Sequence, residues 1–225
     1  MPRKSFKPGN MLYPLPAVMV SCQIPGEKPD IITVAWAGTV CSDPAMVSVS
    51  IRPERFSHGI ISQTGEFVIN LVNEQLTRSM DYCGVRSGRE IDKAAECGLH
   101  LIASEKVQAP SIAESPVCIE CRVVQMIPLG SHDMFLAKVE AVTVDEGLME
   151  ENGKFRLNSA GLTAYSHGEY FSLGKKLGSF GYSVRKKPLS GKPKGRTGKS
   201  TAVRKGKDQS KEGRKNDKRT DRKNH

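Results

Sequence analysis

The chain has 225 residues and a formal net charge of +10, yet 17 of its 34 Lys and Arg fall in residues 185–225 against 4 Asp and Glu, which leaves residues 1–184 at −3. That length suits one sizeable domain with an appendage. No apolar run approaches the roughly 20 residues needed to cross a bilayer, which excludes a membrane-spanning helix.

Ala17 to Ile24 reads as a first strand and Pro25 to Asp30 as the turn that sends the chain back. Ile31 to Val40 is the next strand, broken at Asp43-Pro44. Ala45 to Arg52 then alternates Met46, Ser48 and Ser50 on one side with Val47, Val49 and Ile51 on the other, a strand with one buried and one hydroxyl-bearing face. Ser57 is placed to cap a helix from His58, and Phe67 to Val72 returns as a strand. Two short helices follow, Glu74 to Cys83 and Glu90 to Cys97, each stopped by a Gly and joined by the Gly-rich stretch 84–89. Cys118 to Ile127 and Met134 to Val144 are long β-rich runs flanking a hairpin connection, Pro128 to Asp133. Many short strands with few helices predict a mainly β fold, an antiparallel barrel. Beyond Lys187 almost nothing is apolar, so residues 188–225 are expected to be a disordered basic tail, attached to a folded domain of residues 1–187. Such a tail either solubilises the protein or meets a polyanion, RNA, DNA or an anionic membrane surface, through counterion release.

The six cysteines, and a start that lacks the charged, apolar and small-residue succession of a secretory signal, predict a reducing cytoplasm. Cys118 and Cys121 have the spacing of a metal pair, but on an alternating strand positions three apart face opposite ways, so two buried thiols and no metal are expected.

Functional chemistry concentrates between Thr33 and Ser57. Ser50 and Arg52 lie two apart on a strand and share a face, and Ser57 stands near a helix start whose free amides attract anions. Together they offer a planar cation, hydroxyls and amides to a phosphate. The strand around Trp36 offers backbone groups to a flat polar ring, or else is an ordinary core strand. Arg52 has the alternative of a solvated strand charge, and Arg55 reads as solvent-facing or interfacial. His58 and His132 are expected to shape their helix and turn, and there is neither a P-loop nor a dinucleotide fingerprint.

Five segments, in order, carry a family resemblance: Ile32-Thr33-Val34-Ala35-Trp36-Ala37-Gly38, Ser48-Val49-Ser50-Ile51-Arg52-Pro53, Gly65 to Leu71, Pro128-Leu129-Gly130-Ser131-His132-Asp133, and Ala164-Tyr165-Ser166-His167-Gly168-Glu169-Tyr170. From Asp30 to Lys187 the chain resembles the flavin reductase-like, FMN-binding split-barrel proteins, and within them the flavoredoxin branch. The resemblance implies a split β-barrel topology and FMN as cofactor, with Thr33, Val34, Ala35 and Trp36 along the isoalloxazine. It implies that Gly38 admits close backbone approach, that Ser50, Arg52 and Ser57 hold the phosphate, and that Lys93 reaches the phosphate region. It also implies a homodimer with flavin near the subunit boundary. His167 is the one histidine expected to act near the ring. The flavin supplies the redox chemistry itself, so no conspicuous acid, base or nucleophile cluster is required. Two functions share that pocket: a flavin reductase taking hydride from NADH or NADPH, or an electron carrier with tightly held FMN reduced by a redox protein such as ferredoxin.

Overall fold

A computed structural model describes residues 1–185. The tail expected from residue 188 lies outside the described residues. The chain divides into two compact units, Met1–Lys176 and one beginning at Leu177, whose described part carries a single short turn of helix at Tyr182–Val184.

The first unit contains, in chain order, β1 (Leu15–Pro16), β2 (Val18–Cys22), β3 (Asp30–Val34), β4 (Ala37–Ser42), β5 (Ala45–Ile51), α1 (Phe56–Thr64), β6 (Glu66–Leu71), α2 (Thr77–Val85), α3 (Lys93–Cys97), β7 (Leu101–Ile102), β8 (Ser111–Ile112), β9 (Val117–Pro128), β10 (Asp133–Val144), β11 (Thr163–Ser166) and β12 (Glu169–Ser172). Seven of these make one antiparallel sheet in the order β3-β2-β6-β9-β10-β5-β4. The two outermost strands, β3 and β4, are consecutive in the chain and separated only by Ala35 and Trp36. A sheet whose far edges are two residues apart has to curl until those edges meet, and Ala35–Trp36 is the seam. This bend corrects the continuous strand expected over Ile31 to Val40. Neither Ala nor Trp is a chain breaker, so periodicity alone does not reveal it.

Alternation along β2 shows how the curl is filled. All five of its residues are buried, yet Val18, Val20 and Cys22 join one cluster with Ile32, Val34, Val49, Phe67, Cys121 and Phe135, while Met19 joins another with Ile31, Met80, Cys83 and Ile112. The first cluster draws on six of the seven strands and is plugged by Ile60 and Ile61 of α1; the second is covered by α2. The expected separation of Cys118 and Cys121 follows the same rule: Cys121 sits in the first cluster and Cys118 packs with Val68 on the other side.

Two helix boundaries differ from expectation for local reasons. α1 starts at Phe56 with Arg55 in the cap position and no side-chain cap, so Ser57 is inside the first turn. α2 runs through Gly84 to Val85 instead of stopping at Cys83. Gly84 stays helical because it packs against β3, where a Cβ would come 3.1 Å from Cβ of Thr33. α3 is shorter than expected, Lys93–Cys97, capped by Asp92 Oδ1 accepting from Ala95 N at 3.0 Å and ended by Gly98 at φ 63°. A separate three-stranded sheet, β1-β11-β12, was not foreseen from the sequence; the two-residue turn His167-Gly168 joins β11 to β12 with both residues at positive φ. Among the described residues no helix is long and apolar enough to cross a membrane.

Candidate functional site

The seam opens into a cavity of about 260 Å³ lined by Thr33, Val34, Ala35 and Trp36 on one side and Ser50, Ile51 and Arg52 on the other. β5 is held to the seam by Ser50 N donating to Trp36 O at 2.8 Å. Five further residues complete the wall: Ile32, Arg55, Gly84, His132 and Tyr165. Arg55 spans the opening, its Nη2 donating to Gly84 O at 2.5 Å and so tying the start of α1 to the end of α2. The Thr33 hydroxyl donates to Met80 O, which leaves its oxygen only as an acceptor toward the cavity.

The charge at this site is cationic but unevenly committed. Arg52 is exposed and pairs loosely with Glu54 at 3.6 Å. Arg55 is half-buried with its guanidinium partly engaged by the Gly84 carbonyl. His132 comes in on the connection between β9 and β10, a turn closed by Leu129 N donating to His132 O at 2.9 Å, with Ser131 Oγ 2.9 Å from His132 Nδ1. Burial, and then the Arg52 guanidinium, hold its imidazole below the ordinary value.

Aromatic rings close the open side. Tyr165 of β11 lies 6.5 Å from Trp36, 5.9 Å from Tyr13 and 5.8 Å from Tyr170, ring centre to ring centre. Tyr170 is fixed by its hydroxyl donating to Asp81 Oδ1 at 2.8 Å, and burial together with that carboxylate pushes the phenol up to about 12. On the far side of Trp36 a shallower groove of about 660 Å³ runs beneath Met11, Leu12 and Tyr13 over Gly38 and Ser48.

The nine expected cofactor residues therefore divide into three groups. Thr33, Val34, Ala35, Trp36, Ser50 and Arg52 share the seam cavity. Gly38 lies in the outer groove, with open space where a Cβ would stand. Ser57 and Lys93 are brought together elsewhere, around Asp30. Ser57 is 1% exposed and donates to Asp30 Oδ2; Lys93 is 4% exposed with Nζ 2.8 Å from Asp30 Oδ1. Ser57 therefore neither caps its helix nor presents its hydroxyl freely, and Lys93 is not a surface lysine. Gly88 packs directly on this pair, since a Cβ there would collide with the Asp30 carboxylate. The pair borders a small cavity of about 190 Å³ with Arg55, Phe56, Arg86 and Ser87, so Arg55 lines both spaces.

His167 is at the exposed β11–β12 turn, 6.0 Å from Tyr13, and does not line the seam cavity. Ile32, Ile51, Arg55, Gly84, His132 and Tyr165 are the wall residues that sequence reasoning did not place in the site. Tyr165 and His132 stood inside recognised segments, which was the available signal. Among the described residues, no group of three or more His, Cys, Asp or Glu is placed to hold a metal ion.

A curled antiparallel sheet with a polar cavity at its seam is the split-barrel class of fold. The chain belongs to the flavin reductase-like domain family, whose model matches residues 11–174. The structure is similar to flavoredoxin of Desulfovibrio vulgaris (Miyazaki F), with 29% identity and a TM-score of 0.75, covering 81% of this chain and 100% of that one. It is also similar in sequence to an uncharacterized protein of Pyrococcus abyssi, 32% identical over 74% of this chain and 95% of that protein. A third relative is the reductase component of a 4-nitrophenol 4-monooxygenase/4-nitrocatechol 2-monooxygenase of Rhodococcus opacus, 28% identical over 48% of this chain and 54% of that one.

Proposed function

We propose that the chain binds FMN, with the ring in the seam cavity and the phosphate at the cationic end, and acts as an NAD(P)H-dependent flavin oxidoreductase. The observation that carries this reading is the meeting of Thr33 to Trp36 with Ser50 and Arg52 in one cavity, closed by Arg55 and faced by Tyr165. Its lining fits the cofactor: backbone and apolar side chains for a flat ring, and two guanidiniums beside the unpaired amides of the first turn of α1 for a phosphate. Bound flavin supplies hydride acceptance and electron transfer; the protein binds, orients and shields it. Arg52 and Arg55 hold the anionic end, Ser50 and the Ala35–Trp36 bend meet the polar edge of the ring, and Trp36 and Tyr165 bound the space in which a nicotinamide stacks. Lys93 serves the phosphate end indirectly, by holding Asp30 and Ser57 beneath the start of α1. His167 stands beyond Tyr13, on the side from which a substrate enters.

A second reading, an electron carrier reduced by a protein such as ferredoxin, is favoured by the likeness to flavoredoxin. Anaerobic stopped-flow decides between them. NADH or NADPH is expected to bleach the flavin of the purified protein within seconds; no bleaching within minutes, with immediate bleaching by reduced ferredoxin, replaces the enzyme with the carrier. A preparation that neither contains FMN nor quenches the fluorescence of added FMN ends both readings.

The chain is further proposed to be a cytoplasmic homodimer. Val124 and Met126 of β9, 55% and 44% exposed, supply apolar surface for such a contact, and light scattering at micromolar concentration reads it. Residues 1–187 are proposed as the flavin domain and 188–225 as a separate basic segment that meets RNA or DNA. Full-length protein is expected to bind RNA with an affinity that falls steeply as salt rises, and protein ending at Lys187 is expected to lose that binding and keep its flavin. Salt-independent binding, or equal binding by both forms, would remove the tail from this role.

A further inference from the structure

Two thiols meet on the helical side of the molecule. Cys83 is fully buried on the inner face of α2, and Cys97 is the last residue of α3. Both belong to the cluster that holds Met80 and Leu99, Cys83 buried within it and Cys97 packed against it. Cys97 also stands 3.9 Å from Ser79 O and lines a depression of about 630 Å³ with Arg78, Ser79, Tyr82 and Arg86. One thiol of the pair is therefore reachable from solvent and the other is covered. The remaining cysteines, Cys22, Cys41, Cys118 and Cys121, belong to β2, β4 and β9.

We propose that Cys83 and Cys97 form a redox-active dithiol site that hydrogen peroxide converts to an intramolecular disulfide. The Cys97 thiolate attacks one peroxide oxygen, the O–O bond breaks, and a sulfenic acid and one water result. The Cys83 sulfur then displaces the sulfenic hydroxyl as a second water, forming the S–S bond. Two thiols lose two electrons and two protons in all, and the peroxide is reduced to two waters. Burial, and then the neighbouring Cys97, push the Cys83 thiol up to about 12, so the second step is the slow one and quickens as pH rises.

Disulfide closure brings the two sulfurs to about 2.05 Å. Cys83 is fixed in the core, so the shift falls on the five-residue α3, which begins at Lys93, and on the end of α2. Gly84, the next residue after Cys83, is itself a wall of the seam cavity and accepts the Arg55 hydrogen bond. The dithiol is thus coupled to the flavin site, a link that rests on the function proposed above.

The test treats the full chain with excess hydrogen peroxide, blocks free thiols by alkylation, and reads non-reduced tryptic peptides by mass spectrometry. The expected product joins residues 79–86 to residues 94–106 with the loss of two hydrogens. It should accumulate about tenfold faster per unit of pH between roughly 7 and 9, revert with dithiothreitol, and be missing in Cys97→Ser. Both thiols remaining alkylatable, or Cys97 advancing to sulfinic acid without the cross-link, would overturn the site. Flavin affinity is the second readout: oxidised and reduced wild type should differ by about threefold or more, and Cys97→Ser should not respond. Equal affinities in cross-linked protein overturn the coupling, and a protein that binds no FMN still reports on the dithiol by mass, which keeps the two failures apart.

Discussion

Lys93→Met is expected to lower the stability of the fold by about 3–5 kcal/mol, because it leaves the Asp30 carboxylate charged, 3% exposed and without its counterion. The ammonium lies 2.8 Å from Asp30 Oδ1, the other carboxylate oxygen is held by Ser57, and Gly88 seals the pair from above. The small cavity of about 190 Å³ beside the pair is where water could reach the carboxylate when the lysine is removed. Replacing both charges, as Asp30→Leu with Lys93→Met, is expected to recover most of the loss, leaving mainly the unpaired Ser57 hydroxyl at about 1–3 kcal/mol. Urea unfolding of the two variants beside wild type reads the difference. A single variant within about 0.5 kcal/mol of wild type would show that the pair is hydrated in solution.

The second large effect is expected at Arg55 and not at the more conspicuous Arg52. Arg55→Ala removes a half-buried guanidinium that lines both the seam cavity and the smaller cavity beside Ser57, so FMN should bind about 10- to 150-fold more weakly, equivalent to about 1.5–3 kcal/mol for a charge-assisted contact. Arg52 is exposed and shares its charge with Glu54, so Arg52→Ala should cost at most about 1 kcal/mol. Riboflavin, which has no phosphate, should bind both variants nearly as well as wild type. Titrating the quenching of flavin fluorescence with each ligand measures all four cases. Equal losses for FMN and riboflavin would move the phosphate away from Arg55.

Much of the barrel was legible because period-two alternation survives in strands with one buried face, as Ala45 to Arg52 shows. The seam-cavity set was legible because Thr33 to Trp36 and Ser50 to Arg52 are short consecutive runs, and pairing of β4 with β5 keeps them together. What escaped reading depends on partners far along the chain. Ser57 looks like a cap because a serine at a helix start is the usual cap signal; its actual partner, Asp30, lies 27 residues upstream in what reads as a turn. His132 enters the cavity from the β9–β10 connection and Tyr165 from β11, both in the second half of the domain, and nothing local marks which way either side chain will face. Gly84 reads as a helix stop, and only the approach of Thr33 shows why the helix continues through it.

The seam also makes the length of one short connection unforgiving. Most surface connections absorb an extra residue at small cost in entropy, but Ala35 and Trp36 join two strands whose side chains are each committed to a face: Ile32 and Val34 point into the first core cluster, and Ala37 packs against it. One residue inserted between Val34 and Ala37 leaves a choice. Either the extra residue bulges into the space where the ring would lie, or β4 slips by one place against β5 and turns Ala37 away from the core while Gly38 takes its place. Neither outcome can be relieved by the rest of the sheet, because the strand on each side of the connection is already an end strand. A connection that looks like the easiest place in the domain to change length is thus the one whose length sets the bore of the barrel.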